Sequence, residues 1–490
     1  MAFESYLPPH RERLLHRAES EAWRRAVEAG LLDRAREQGL TPPGYSSAAE
    51  AGAQQLRQIN GERVRQLVQA GERDADKLLA QLGSWPTTWP EGLQPVIAFL
   101  GINLTWECDS RPRCRYCNQQ PIASTVTIAR WKELIAEAAD SLPGEGPYVY
   151  LTGGEPLLLG EDVYGDQGLI RFAAEHKAPV NVNTNARRIT PEVAVKLVQA
   201  GTVRLHISLD AADAAIQNAL RGQPHAFDDI LNGLWNVQVA RELLGTNHPE
   251  VHVNCVVTTL NMRQFPDLLE FLLSMMRVGE GHFPAPAGAP LYRDLFPHLI
   301  PVGGESNADL RPSAAEWVRF YTETWAQADI VWQRQQERLG IPEDQRTRWQ
   351  DFAFFTSPYH RVKHRGTLED YAERAAQGIH WELGLCERCY IAPAQAFLLP
   401  DGQQHWCGAH AIQRPPPMGD VHEAGLRDNI RQHIGAMAQF PNRWCLNCAG
   451  ATVFMNQSIE GALRKTISEW IAEVEGPGGA ASTPPGAPSP

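Results

Sequence analysis

No uninterrupted apolar run of membrane-spanning length, about 18 residues, occurs anywhere in the sequence, so no membrane contact is expected. The first twenty residues, MAFESYLPPHRERLLHRAES, lack the apolar core of a secretory signal. Basic residues are in deficit: 45 Lys and Arg stand against 57 Asp and Glu, for a net charge of −12. That balance argues against a nucleic-acid surface. The cysteines do not form an even set. There are nine, in a long chain with no export signal, which points to metal or redox use in a reducing cytosol rather than to disulfides. A cytoplasmic protein is expected.

What is present begins with size. A chain of 490 residues is long for one domain, and its 43% hydrophobic content is ordinary for a globular protein, so two or three domains are expected. The stretch that organises the rest is Cys108–Cys117, CDSRPRCRYC, with three thiols in a C-x5-C-x2-C pattern. It follows an apolar, strand-like run, Val96-Ile97-Ala98-Phe99-Leu100. Three thiolates without a nearby fourth fit a [4Fe-4S] cluster that leaves one iron open. A zinc site, which wants four protein ligands, and unligated structural cysteines are the alternatives.

Residues 1–92 read as helical and show no hairpin. Leu14, Trp23, Leu31 and Leu32 recur at helical intervals over 10–38, and a second helix is expected from about Ser47 to Leu82. A cap packed on the catalytic domain is the plain reading; a docking module for a partner or substrate is the sharper one.

From 93 to 300 strands alternate with helices, the β/α repeat pattern. Buried parallel strands usually read as continuous apolar runs. Here Val180-Asn181-Val182-Asn183-Thr184-Asn185 and Val203-Arg204-Leu205-His206-Ile207-Ser208-Leu209-Asp210 alternate, and Val251–Thr258 does so in part. The apolar set must face the outer helices and the polar set a wet interior, because a filled core could not satisfy it. The expected fold is α/β, a partial (β/α)6 barrel. Helices are expected at Trp131–Asp140, Gly168–His176, Pro191–Gly201 with Thr190 as N-cap, Ala211–Leu220 and Phe227–Leu244. His206 is either an acid/base in that interior or a hydrogen-bonded structural imidazole. Cys255 falls on the apolar side and reads as a small buried hydrophobe.

After the strand Val149-Tyr150-Leu151 comes Thr152-Gly153-Gly154-Glu155-Pro156. With the three-thiol loop, this turn resembles the radical S-adenosylmethionine (SAM) enzymes. Their commonest loop is C-x3-C-x2-C, two residues shorter between the first two thiols, but the last two thiols and the aromatic Tyr116 match. The resemblance implies that Cys108, Cys114 and Cys117 hold the SAM-binding [4Fe-4S] cluster. It implies that Gly153, Gly154, Glu155 and Pro156 hold the SAM amino group, and that Arg221 pairs with the SAM carboxylate. Arg221 as a solvated helix-end cation is the alternative. Ser208 and Asp210 fall where the family binds ribose and carboxylate, and Asn254 and Val256 where it contacts adenine and ribose. Asn183 and Asn185 resemble its Thr-Asn-Gly strand end, with Ala186 in place of Gly.

Residues 301–384 read as a helical connecting or substrate region. Ser313-Ala314-Ala315-Glu316 is a capping box, and the Trp317, Phe320, Tyr321, Trp325 stripe behind it reads as core packing. Five thiols return over 385–455: Cys386, Cys389, Cys407, Cys445 and Cys448. Their C-x2-C pairs suit a zinc ribbon. The Gly402-x4-Cys407 spacing resembles instead the SPASM or Twitch auxiliary-cluster extension, and five thiols suit one auxiliary [4Fe-4S] cluster rather than two. A C-terminal helix at 456–475 and a disordered Gly/Pro-rich tail at 476–490 complete the chain.

The resemblance implies reductive cleavage of SAM to a 5′-deoxyadenosyl radical that takes hydrogen from substrate carbon, with an electron donor such as flavodoxin or ferredoxin. A maturase acting on a ribosomally made peptide or protein is the first expectation, and a small-molecule dehydrogenase the second. A non-enzymatic zinc-binding protein is a distant third.

Overall fold

The computed structural model describes residues 20–43, 48–117, 119, 122–142, 144, 146–275, 295–303, 305–338, 340–362, 366–378, 388–413, 415–442, 444–445 and 450–475. The expectations for Cys386, Cys448 and the tail beyond 475 lie outside the described residues. No described helix is long and apolar enough to cross a membrane.

Four helices open the described chain: α1 (Glu21–Glu28), α2 (Leu31–Gln38), α3 (Ala48–Gln69) and α4 (Ala75–Leu82). The two long helices read from the sequence are each broken. Gly30, at φ +68°, separates α1 from α2, and Gly71, at φ +100°, ends the turn after α3. Asp74 then caps α4, accepting from the amides of Asp76 and Lys77.

The barrel follows as β1 (Phe99–Thr105), α5 (Ile128–Asp140), β2 (Tyr148–Gly153), α6 (Leu169–Glu175), β3 (Val180–Thr184) and α7 (Pro191–Gln199). It continues through β4 (Arg204–Ser208), α8 (Ala214–Arg221), α9 (Ala226–Leu244), β5 (Glu250–Val257), α10 (Phe265–Met275) and β6 (Phe296–Pro301). Thr190 caps α7 as expected, its hydroxyl accepting from Val193 N. The helix expected from Ala211 starts at Ala214 because Asp213 takes the N-cap. The six strands are parallel, in the order β6-β5-β4-β3-β2-β1, and the sheet does not close. Val180, Val182, Leu205, Ile207, Val251 and Val253 are fully buried, the apolar set the alternation assigned to the helices.

Beyond β6, α11 (Ala314–Arg319) and α12 (Trp325–Arg338) are joined through one π-helical turn at Phe320–Thr324. The Ser313–Glu316 capping box forms, and Trp317, Phe320, Tyr321 and Trp325 are buried among other aromatic rings.

The C-terminal part was not expected to join the barrel sheet, and it does. β7 (Gln395–Leu398) pairs parallel with β1, in register from Phe99 opposite Gln395. The close fit needs Gly101, where a Cβ would lie 2.4 Å from the Phe397 ring. β8 (Gln403–His405) and β9 (Gly419–Asp420) extend the sheet antiparallel, on either side of α13 (Gly408–Gln413). α14 (Leu426–His433) and the long α15 (Gly450–Glu475) follow. Leu463, Ile467 and Trp470 of α15 pack with Leu56, Val64, Leu78 and Leu82 of α3 and α4 in a core of their own. So the N-terminal extension divides: α1 and α2 sit on α7 of the barrel, whereas α3 and α4 clasp the far end of the chain.

Candidate active site

The parallel strands of the barrel all end at one edge, where open parallel sheets bind ligands. The loop with Cys108, Cys114 and Cys117 leaves β1 there, and the Gly153–Pro156 turn leaves β2. Asn185 follows β3, Asp210 follows β4, Val256 lies near the end of β5, and Arg221 ends α8. The structure brings these candidate residues of the barrel to this one edge.

The glycine pair lets two loops touch. Gly154 N donates to Thr105 O at 2.6 Å and Glu155 N to Glu107 O at 2.8 Å. A Cβ on Gly154 would lie 1.9 Å from Glu107 O, and Gly153 sits at φ +138°, a conformation that favours glycine. The Gly153 carbonyl accepts from Gln119 Nε2 of the thiol loop.

Glu155 turns inward. It is fully buried, and its carboxylate accepts from Leu157 N at 3.1 Å, Thr184 Oγ1 at 2.7 Å and Asn185 N at 2.8 Å. It therefore ties the turn after β2 to the end of β3. Burial pushes its carboxyl up to about 7, against the pull of those three donors. Pro156 opens the short 3-10 turn that follows. Asn185 holds the thiol loop, its Nδ2 donating to Asp109 Oδ1 at 2.7 Å, while Arg188 meets the other Asp109 oxygen at 3.0 Å. Ala186, where the resemblance expects Gly, has φ +62°, so the glycine-type backbone survives the replacement.

Asp210 is the hub on the opposite side. Its carboxylate accepts from Tyr116 Oη at 2.6 Å and Val256 N at 2.8 Å, and pairs with Arg221 Nη2 at 2.8 Å. Arg221 is not a solvated cation. It is buried, stacks 5.4 Å from the Tyr116 ring, and points Nη1 at Cys114 Sγ, 3.8 Å away. Its Nε is buried without a hydrogen-bond partner. Burial pushes the Cys114 thiol up, and Arg221 opposes it. Val256 and Tyr116 both pack against the small cluster of Leu220, Val302 and Leu310.

The donor set fits an iron–sulfur cluster better than a lone ion. Among the described residues the only three metal-binding donors within 4.8 Å of one another are histidines, so the loop thiols are spread wider. Tetrahedral zinc, with Zn–S near 2.3 Å, needs its sulfurs about 3.8 Å apart. The orphaned Arg221 Nε agrees with a ligand bound beside the thiols.

Inside the barrel, Asn254 Nδ2 donates to Asn183 Oδ1 at 3.1 Å, and Asn183 Nδ2 to Thr152 Oγ1 at 3.3 Å. Ser208, opposite Asn254 in the sheet, is half-buried. Beneath this row His206 stands with His252 and His298, ring centroids 5.1–5.4 Å apart. The sequence reading singled out only the first. Cys255 is buried, as expected, with Sγ 3.5 Å from Asp210 O.

In the C-terminal part, Cys389 lies before β7 and Cys407 after β8. Cys407 is buried, which pushes its thiol up to about 12, and Cys445 adds to the effect. Cys445 Sγ lies 3.9 Å from His410 Nε2. His410 was not singled out from sequence. Burial brings it down to about 4, so it is a neutral imidazole at neutral pH.

The chain is similar to several known proteins. One 190-residue stretch is 30% identical to an AdoMet-dependent heme synthase of Nitratidesulfovibrio vulgaris, covering 38% of this chain and 47% of that protein. A 155-residue stretch is 34% identical to the mycofactocin maturase MftC of Mycolicibacterium smegmatis, covering 31% of this chain and 36% of that protein. The matches thus span less than half the length of either relative. In structure the chain is similar to Streptococcus suis SuiB bound to precursor peptide SuiA, with a TM-score of 0.45 and 15% identity, over 73% of this chain and 71% of that one. Residues 102–272, which carry the thiol loop, the glycine turn and the Asp210–Arg221 hub, match the Radical SAM superfamily.

Proposed function

We propose that this chain is a radical SAM enzyme that modifies a ribosomally made peptide or protein. The observation that carries the reading is the convergence of three thiols, a glycine cradle and a buried arginine at one strand edge. In this reading Cys108, Cys114 and Cys117 hold a [4Fe-4S] cluster. Gly153, Gly154 and Asn183 line the SAM site, with Ser208 and Asn254 beyond them. Arg221 offers its free Nε to the SAM carboxylate, while Glu155, Asn185, Asp210, Tyr116 and Val256 hold the loops around the site. The chemistry supplied there when the cluster and SAM are bound is one-electron cleavage of SAM to methionine and a 5′-deoxyadenosyl radical, which takes a hydrogen atom from substrate carbon. The chain's own part is to position SAM and to keep water from the reacting carbon.

Four of the five thiols, Cys407, Cys445, Cys448 and either Cys386 or Cys389, would hold one auxiliary [4Fe-4S] cluster, with His410 beside Cys445. It would take an electron from the substrate or anchor it. The likeness to a mycofactocin maturase favours a peptide. A second reading, a small-molecule substrate, is favoured by the likeness to a heme synthase.

Anaerobic reconstitution should give about eight irons per chain. Replacing Cys108, Cys114 and Cys117 by Ala should leave about four and abolish 5′-deoxyadenosine formation. A triple variant that still makes 5′-deoxyadenosine overturns the assignment. A short peptide encoded beside the gene should accelerate SAM cleavage in the peptide reading and leave it unchanged in the other.

A further inference from the structure

We propose that His206, His252 and His298 form a binding site for a divalent transition-metal ion inside the barrel, separate from the thiol loop. The three side chains come from the adjacent strands β4, β5 and β6 and face the same interior. One ring nitrogen of each lies within 4.8 Å of the others, and His252 Nδ1 is 2.9 Å from His298 Nε2. A tetrahedral ion with M–N near 2.05 Å wants its nitrogens about 3.3 Å apart, so small ring rotations close the set.

His252 is buried, and His206 and His298 are half-buried. The charge of Arg204 is met by Glu250, 2.7 Å away. Asn181 supplies the outer partner. Its Nδ2 lies 3.3 Å from His206 Nε2, and its Oδ1 is buried without a hydrogen-bond partner. Turning that amide lets it accept an Nε2–H instead, so Asn181 can fix either tautomer of His206.

Three imidazoles without thiolate or carboxylate select zinc, iron, cobalt, nickel or copper over magnesium and calcium. Three protein ligands leave a fourth position open, the arrangement of catalytic rather than structural sites. Here that position would face the barrel interior and take water or an oxygen donor of the substrate.

The test is a titration of the anaerobically reconstituted full chain, clusters in place, with Co2+. The expected result is one cobalt per chain, with visible ligand-field bands, no sulfur-to-cobalt charge-transfer band in the near ultraviolet, and displacement by Zn2+. His252→Ala and His298→Ala should each weaken binding at least tenfold, and the double variant should abolish it, with iron content unchanged. His298→Gln serves if the alanine variant does not fold. Cobalt that fails to bind, binds with a sulfur charge-transfer band, or binds equally well to the variants overturns the site.

Discussion

The Asp210 carboxylate lies 2.8 Å from Arg221 Nη2, and both side chains are buried. This pair joins the end of β4 to the end of α8 directly behind Cys114. Removing one partner leaves an uncompensated buried charge, which costs about 3–5 kcal/mol, whereas replacing both by apolar residues costs far less. Asp210→Ala should therefore lower unfolding free energy by about 3–5 kcal/mol in a denaturant titration, and the double variant Asp210→Leu/Arg221→Met by less than either single change.

Glu155 makes stability depend on pH in an uncommon direction for a carboxylate. Its folded value, about 7, stands above the ordinary glutamate value of 4.5, so the folded state binds the proton more tightly. Its stabilising contribution is full below about 4.5 and is lost as pH rises through 7, roughly 3 kcal/mol in all. Unfolding free energy measured between pH 5 and pH 8 should carry this downward slope in the native protein and lose it in Glu155→Gln.

Gly233 lies inside α9, where Ala normally stabilises a helix by about 1 kcal/mol. Here the added Cβ would sit 2.2 Å from Ala186 O. The clash reverses the sign, and Gly233→Ala should lower the thermal midpoint, with a cost of about 1–3 kcal/mol. Because Ala186 follows the Asn185 that holds the thiol loop, iron loading should fall with it.

Leu463 is fully buried in the core shared by α3, α4 and α15. Leu463→Ala should cost about 2–5 kcal/mol by denaturant titration. A cost near zero would mean that the two ends of the chain do not pack together.

The barrel was legible because the pleat imprints a period of two: Asn181 and Asn183, or His206 and Ser208, alternate with residues that reach zero exposure. The thiol loop and the glycine turn were legible from spacing. Their supports were not. Nothing in the sequence says that Asp210 spends its charge on Arg221, or that Glu155 faces the protein, because both follow from how separate strand ends meet. His298 was hidden in Phe296-Pro297-His298-Leu299-Ile300-Pro301, where two prolines argue against a strand. Register alone brings it to His252. The four residues of β7 were too short to read as a strand, and its place beside β1 is a long-range fact.

That place has a cost for anyone trimming the chain. Ending it before Gln395 would strip the backbone of β1 bare along one flank, beside the buried Phe99 and Leu100. A naked rim of unmet amides and carbonyls zips onto its own kind. The barrel cut free of its tail should precipitate as ribbons rather than survive as a smaller catalyst.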